Sequence, residues 1–150
     1  MKLAEALAER SDIRTRISAL QSRLAANARV QEGERPAEDP KALMAELDAL
    51  IAREEELIAR INLTNARTIS DGKTITELLA ARECLMLKVN VLRDFLDEAS
   101  ALTSRGMRTE IRVLSSVDVS AERKRVDGLS ADLRALDMRI QALNWTTELI

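Results

Sequence analysis

The chain has no histidine and no tyrosine, and its 150 residues include one phenylalanine, one tryptophan and one cysteine. Without histidine, neither the carboxylate-and-histidine di-iron sites of helical bundles nor a histidine-based catalytic triad can be assembled. With Phe95 and Trp145 as the only aromatic residues, the core must be packed from Leu, Ile, Val, Ala and Met. Cys84 has no second cysteine for an internal disulfide. Its place in an apolar stretch gives it the character of a small core hydrophobe in a reducing compartment. Charged residues make up 32% of the chain, yet the net charge is only −2, so no strong field exists to hold nucleic acid or an anionic membrane. No run approaches the ~20 apolar residues of a spanning helix, and Lys2, Glu5, Glu9 and Arg10 leave no room for the apolar segment of a signal peptide. These features predict a cytoplasmic protein of one domain, residues 1–150, without a cofactor or a bound metal.

What the chain has is helical periodicity. The stretch 75–103 reads as a central helix, opened by the T-x-x-E spacing of Thr74 and Glu77. Leu78, Leu85, Val89, Leu92, Leu96 and Ala99 form its seam, interrupted by Arg82. Between Cys84 and Leu92 only Lys88 and Asn90 are polar, so this helix is expected to bury more than one side. A first helix, 2–28, carries Leu3, Ala6, Ile13, Ile17, Leu20 and Leu24, with Arg10 where an apolar residue is expected. Residues 31–40 hold both prolines and a glycine among acids, which marks an exposed connection, and Asp39-Pro40 suits an N-cap followed by the first helical position. The second helix, 40–66, runs through Leu43, Leu47, Leu50, Leu57 and Ile61, broken by Glu54, which is expected to face Arg14 or Arg16. The fourth, 119–145, is capped by Asp118 or Ser120 and carries Val126, Leu129, Leu133, Leu136, Ile140 and Leu143, with Gly128 weakening it.

Residues 1–30 carry six basic and three acidic side chains, and residues 31–60 four basic and nine acidic, so a basic helix should lie antiparallel to an acidic one. Asp71-Gly72, within residues 68–74, predicts a tight hairpin turn. Ser104-Arg105-Gly106 should stop the third helix, and residues 109–114 alternate enough to suggest a short strand. The fold class predicted is all-α: an elongated antiparallel four-helix bundle or pair of coiled-coil hairpins, with a short β-hairpin or strand in the connections.

The stretches MKLAEALAER, VQEGERPAEDP, INLTNART, DGKTITELLAARE, TEIRVLSSVDV and IQALNWTTEL resemble, in that order, the septicolysin-like family of small bacterial proteins. The resemblance implies a bacterial, mainly helical protein, and the family's name implies a membrane-acting, cytolysin-like role. Residues 78–102 would be the inserting segment, but Arg82, Glu83, Lys88, Arg93, Asp94, Asp97 and Glu98 interrupt it, each costly at the bilayer centre. Insertion would need an oligomer that hides those charges.

An up-down-up-down order would bring Arg10, Asn62, Asn65, Arg82, Asn144 and Trp145 to one end of the bundle. Two inward guanidinium groups need carboxylate or carbonyl partners, with Glu77, Glu83, Asp71 and Glu148 as candidates for them. One reading of the cluster is a structural polar layer that fixes register. The other is a pocket in which Arg10 and Arg82 hold a small anionic ligand, with the Asn side chains and Trp145 orienting it. Enzyme readings fare less well. Cys84 lacks a histidine to activate it, and Asp94, Asp97 and Glu98 have no matching E-x-x-E on a second helix to hold Mg²⁺, so they read as a solvated face. The expectation is a non-enzymatic helical assembly or interaction protein, a homo-oligomer with possible protein partners. Apolar residues outside the seams, Leu7, Met44, Ile51, Ile58, Leu79, Met86 and Val91, would cover a partner helix or widen the core-facing stripe.

Overall fold

The computed structural model describes residues 1–102 and 112–150. It is an all-α architecture of the helical-bundle class with one two-stranded β-hairpin. The elements are α1 (Leu3–Ala26), α2 (Pro40–Arg67), β1 (Ile69–Ser70), β2 (Lys73–Thr74), α3 (Ile75–Ser100) and α4 (Val119–Thr146). They fall into two compact units, Met1–Thr74 with Ala142–Ile150, and Ile75–Gln141. The predicted stop at Ser104-Arg105-Gly106 and most of the predicted strand at 109–114 lie outside the described residues, and residues 112–114 form no strand.

In the first unit, Ala6, Ile13, Leu20 and Asn27 are buried at steps of seven, and so are Leu43, Leu50, Leu57 and Thr64. Two seven-residue patterns on helices joined by a short connection make an antiparallel coiled-coil hairpin. The charges follow the same register: Arg53 pairs with Glu9 at 2.7 Å, Arg10 with Glu54 at 3.2 Å, Arg16 with Glu46 at 3.6 Å, and Arg23 with Glu38. Each step forward along α1 is a step back along α2, which sets Ala6 level with Leu57, Ile13 with Leu50 and Leu20 with Leu43. The basic and acidic helices face each other as their composition requires.

The ends of this hairpin are closed by polar groups. Asn27 Nδ2 donates to the Arg23 carbonyl at 2.8 Å, and its Oδ1 accepts the Glu38 N–H at 2.9 Å, joining the end of α1 to the approach of α2. Asp39 caps α2 by accepting the Lys41 N–H at 3.0 Å, with Pro40 in the first turn where its missing N–H costs nothing. At the other end the chain terminus folds back. The Leu149 N–H donates to Met1 O at 2.9 Å, the Ile150 N–H to Thr64 Oγ1 at 3.0 Å, and Arg60 Nε to Ile150 O at 2.8 Å, with Leu149 itself buried. After α2, Asp71 and Gly72 take φ of 46° and 77°, the left-handed pair that a two-residue hairpin turn requires, and Ile69 pairs with Thr74.

The second unit is thinner. Val89, Leu96 and Val126 form its buried cluster, flanked by Leu85, Leu92, Val119 and Leu129. Arg82 Nη1 meets Asp137 Oδ1 at 3.3 Å and Arg93 Nη2 donates to Ser130 Oγ at 3.0 Å, so α3 and α4 are also antiparallel. Asp118 caps α4, its Oδ1 accepting the Ala121 N–H at 3.1 Å.

Candidate functional site

The residues predicted for one polar end are distributed over both units. Arg10 and Arg14, one helical turn apart on α1, both donate through Nε to Glu54 Oε1, at 3.2 and 2.8 Å. Glu54 is buried, which pushes its carboxyl pKa up. The hydrogen bonds from Arg14 and Arg10 outweigh this and hold it below the ordinary carboxylate value. Its second oxygen, Oε2, is buried without a partner among the described residues. The expectation that Glu54 faces Arg14 or Arg16 is met by Arg14, while Arg16 reaches Glu46. In the other unit Arg82 has Asp137 as its carboxylate, a residue 55 positions away that sequence proximity did not suggest. Asn62 is exposed on α2, Asn65 is partly buried with Oδ1 lacking a hydrogen-bond partner among the described residues, Asn144 is buried and Trp145 is 64% exposed. Both guanidinium groups are thus matched by carboxylates of their own hairpin, an arrangement that fixes helix register.

A different feature stands out on α3. Cys84 is exposed, which corrects its expected place in the core. The physical reason is that α3 is apolar on two faces, and α4 covers one. Leu78, Val89 and Leu96 lie on the covered face, whereas Ala80, Cys84, Leu87, Val91 and Phe95, at steps of four, three, four and four, run along another side of the helix. Leu87 is 65% exposed, Val91 57% and Phe95 44%. Met86 and Val91 were legible as surplus apolar residues, but Cys84, Leu87 and Phe95 were not assigned to a second seam. The signal was the uninterrupted apolar run from Cys84 to Leu87. The other unit has an apolar groove of about 300 Å³ lined by Ile17, Gln21, Leu24 and Leu47.

No helix among the described residues is long and apolar enough to cross a membrane. A comparison with curated proteins gives no match. The chain is 40% identical to a functionally unknown conserved protein from Corynebacterium diphtheriae, solved as a crystal structure, over 100% of this chain and 99% of that one, with a TM-score of 0.89. A family of unknown function, DUF6847, matches residues 10–149. This finding overturns the septicolysin-like resemblance, which was the ground for expecting a cytolytic role. Several of the stretches that carried it, such as MKLAEALAER, are pieces of amphipathic helix, whose Ala, Leu, Glu and Arg pattern recurs in unrelated helical proteins. The chain belongs to the DUF6847 family.

Proposed function

We propose that this protein is a non-enzymatic helical assembly protein that forms a homo-oligomer through the outward seam of α3. The observation that carries the reading is the second apolar face of α3, with Leu87, Val91 and Phe95 between 44% and 65% exposed on a helix whose opposite side is already packed. Isolated exposed leucines need no explanation, but a row of them at helical spacing marks an interaction surface. Fully burying one such side chain contributes roughly 1.5–3 kcal/mol. Association itself costs an estimated 4–15 kcal/mol, so a single short seam supports a weak, concentration-dependent complex. A cytoplasmic setting fits the reading, because an exposed thiol on the seam stays reduced there.

An anion pocket built on Arg10 and Arg82 has less support, since each guanidinium already faces a carboxylate. Light scattering on a sizing column, at two salt concentrations and well above micromolar protein, tests the assembly reading. Wild type should give a mass of two or more copies of the 16.7 kDa chain, and Leu87→Glu should return it to one copy with an unchanged circular dichroism spectrum. A wild-type protein that stays at 16.7 kDa throughout would sink the proposal.

A further inference from the structure

The outward seam of α3 has a counterpart on α4. Gly128, Ala131, Ala135 and Met138 follow one another at steps of three, four and three, all exposed, on the side of α4 away from buried Val126 and Ile140. A Cβ added at Gly128 would meet nothing within 4 Å, so the space above this stripe is open. The middle of the α3 seam, Leu87 and Val91, is bulky, and the middle of the α4 stripe, Gly128, Ala131 and Ala135, is small. Resting on the assembly reading, we infer that the α3 seam of one copy docks antiparallel on the α4 stripe of a second copy.

Size admits two registers one helical turn apart, and charge selects one of them. Setting Val91 against Gly128 places Leu87 against Ala131, Cys84 against Ala135 and Ala80 against Met138, with Phe95 over the exposed Lys124; one turn along, Phe95 would sit on Gly128 but Asp94 would lie level with Asp127. In antiparallel helices the same flank of each seam comes together. On one flank this register brings Glu83 to Arg134 and Asp94 to Arg123, and on the other Lys88 to Asp132. All six side chains are exposed, and none has an ion-pair partner among the described residues. This register gives three unlike-charge pairs, and flanking charges of this kind set partner choice and orientation. A second α3 seam is a poorer occupant, because it sets bulky side chains against bulky ones.

The two seams lie on outer sides of the α3–α4 hairpin, so each copy offers one of each kind. Such a contact is heterologous and extends to a ring or a filament. Cys84, the chain's single cysteine, makes the pairing testable by cross-linking, using Ala135→Cys and a mild thiol oxidant. The variant should give a ladder of disulfide-linked species on a non-reducing gel, and wild type should give none, because Cys84 then faces Ala135. A disulfide-linked wild-type dimer would mean α3 pairs with α3 and would overturn the inference. A variant that shows a multimeric mass without cross-links would also overturn it, leaving the assembly reading intact, whereas a monomeric mass defeats both. Charge exchange gives a second measurement. Glu83→Arg should weaken association by roughly twofold to fivefold, and adding Arg134→Glu should restore it. No rescue by the double variant counts against this register.

Discussion

Glu54 offers the sharpest test of how the α1–α2 hairpin is held. Its side chain is 12% exposed and holds Arg10 and Arg14 through one oxygen, with the other buried and unpaired. Removing both guanidiniums, as Arg10→Met with Arg14→Met, leaves a buried carboxylate without a counter-charge. Breaking a buried pair from one side costs roughly 3–5 kcal/mol. Because the hairpin is thin and Arg14 is 61% exposed, water can reach the orphaned group, so the lower end, about 3 kcal/mol, is expected. For a chain of this length that is a fall in melting temperature of roughly 6–12 °C. Removing the acid, as Glu54→Leu, should behave differently: both arginines swing into water, the unpaired oxygen disappears, and stability should stay within about 1 kcal/mol of wild type or rise. Urea unfolding would measure this, followed by circular dichroism and by fluorescence of Trp145, which belongs to the same compact unit.

The pH dependence separates charge from packing. In wild type the Glu54 carboxyl titrates below its ordinary value of 4.5, so its contribution is present above that value and is lost as pH falls through the folded one. In the double arginine variant only burial remains, which raises the folded pKa, so the penalty is full at pH 7 and shrinks as the acid takes up a proton. The gap between the two proteins should therefore narrow from pH 7 towards pH 4. A double variant as stable as wild type at pH 7, or a Glu54→Leu variant as damaged as the double one, would refute the reasoning.

Two further outcomes concern the same unit. Leu149→Ala should cost roughly 2 kcal/mol and speed amide exchange at the end of α2, because it empties the buried contact that holds the final residues against Met1 and Thr64; unchanged exchange there would mean the backbone bonds suffice. Glu9, Glu38 and Glu56 have carboxyl pKa values held down by hydrogen bonds from Arg53, from Arg23, and from Arg53 with Arg60 respectively, so the hairpin should lose stability as pH falls below about 4.5. Salt should weaken that dependence, as melting curves from pH 7 to pH 3 at low and high ionic strength would show.

Much of the fold was legible because its determinants are local or periodic. Asp39-Pro40 and Asp118 carry their capping chemistry within three residues, and Asp71-Gly72 is the pair that tolerates two positive φ angles. The heptads of α1 and α2, their opposite charges and the short connection between them together specify an antiparallel pair. What stayed hidden are partners far apart in sequence. Arg82 finds Asp137 across 55 residues, and the guess that nearby acids would serve it failed because helix pairing, rather than chain proximity, decides which carboxylate is at hand.

The misplacement of Cys84 has a deeper cause. An apolar run that covers most of a helix's circumference says that two faces want burial, but nothing local says whether the second partner is in the same chain. In a large core the chain itself supplies it. Among the described residues of the compact unit, α3 has a single helix, α4, as its packing partner, and the cluster around Val89, Leu96 and Val126 occupies that helix's apolar face. The remaining seam is left with Leu87 more exposed than any other leucine of α3, a state that costs solvation free energy in the lone chain and is relieved when a second surface covers it. The flanking charges carry the rest of the information. Glu83, Lys88 and Asp94 look like ordinary solvent-facing residues when α3 is read alone, and acquire a pattern only when α4's Arg134, Asp132 and Arg123 are laid beside them in one register. A seam's sequence can therefore encode its partner, but only when both halves of the contact are read together.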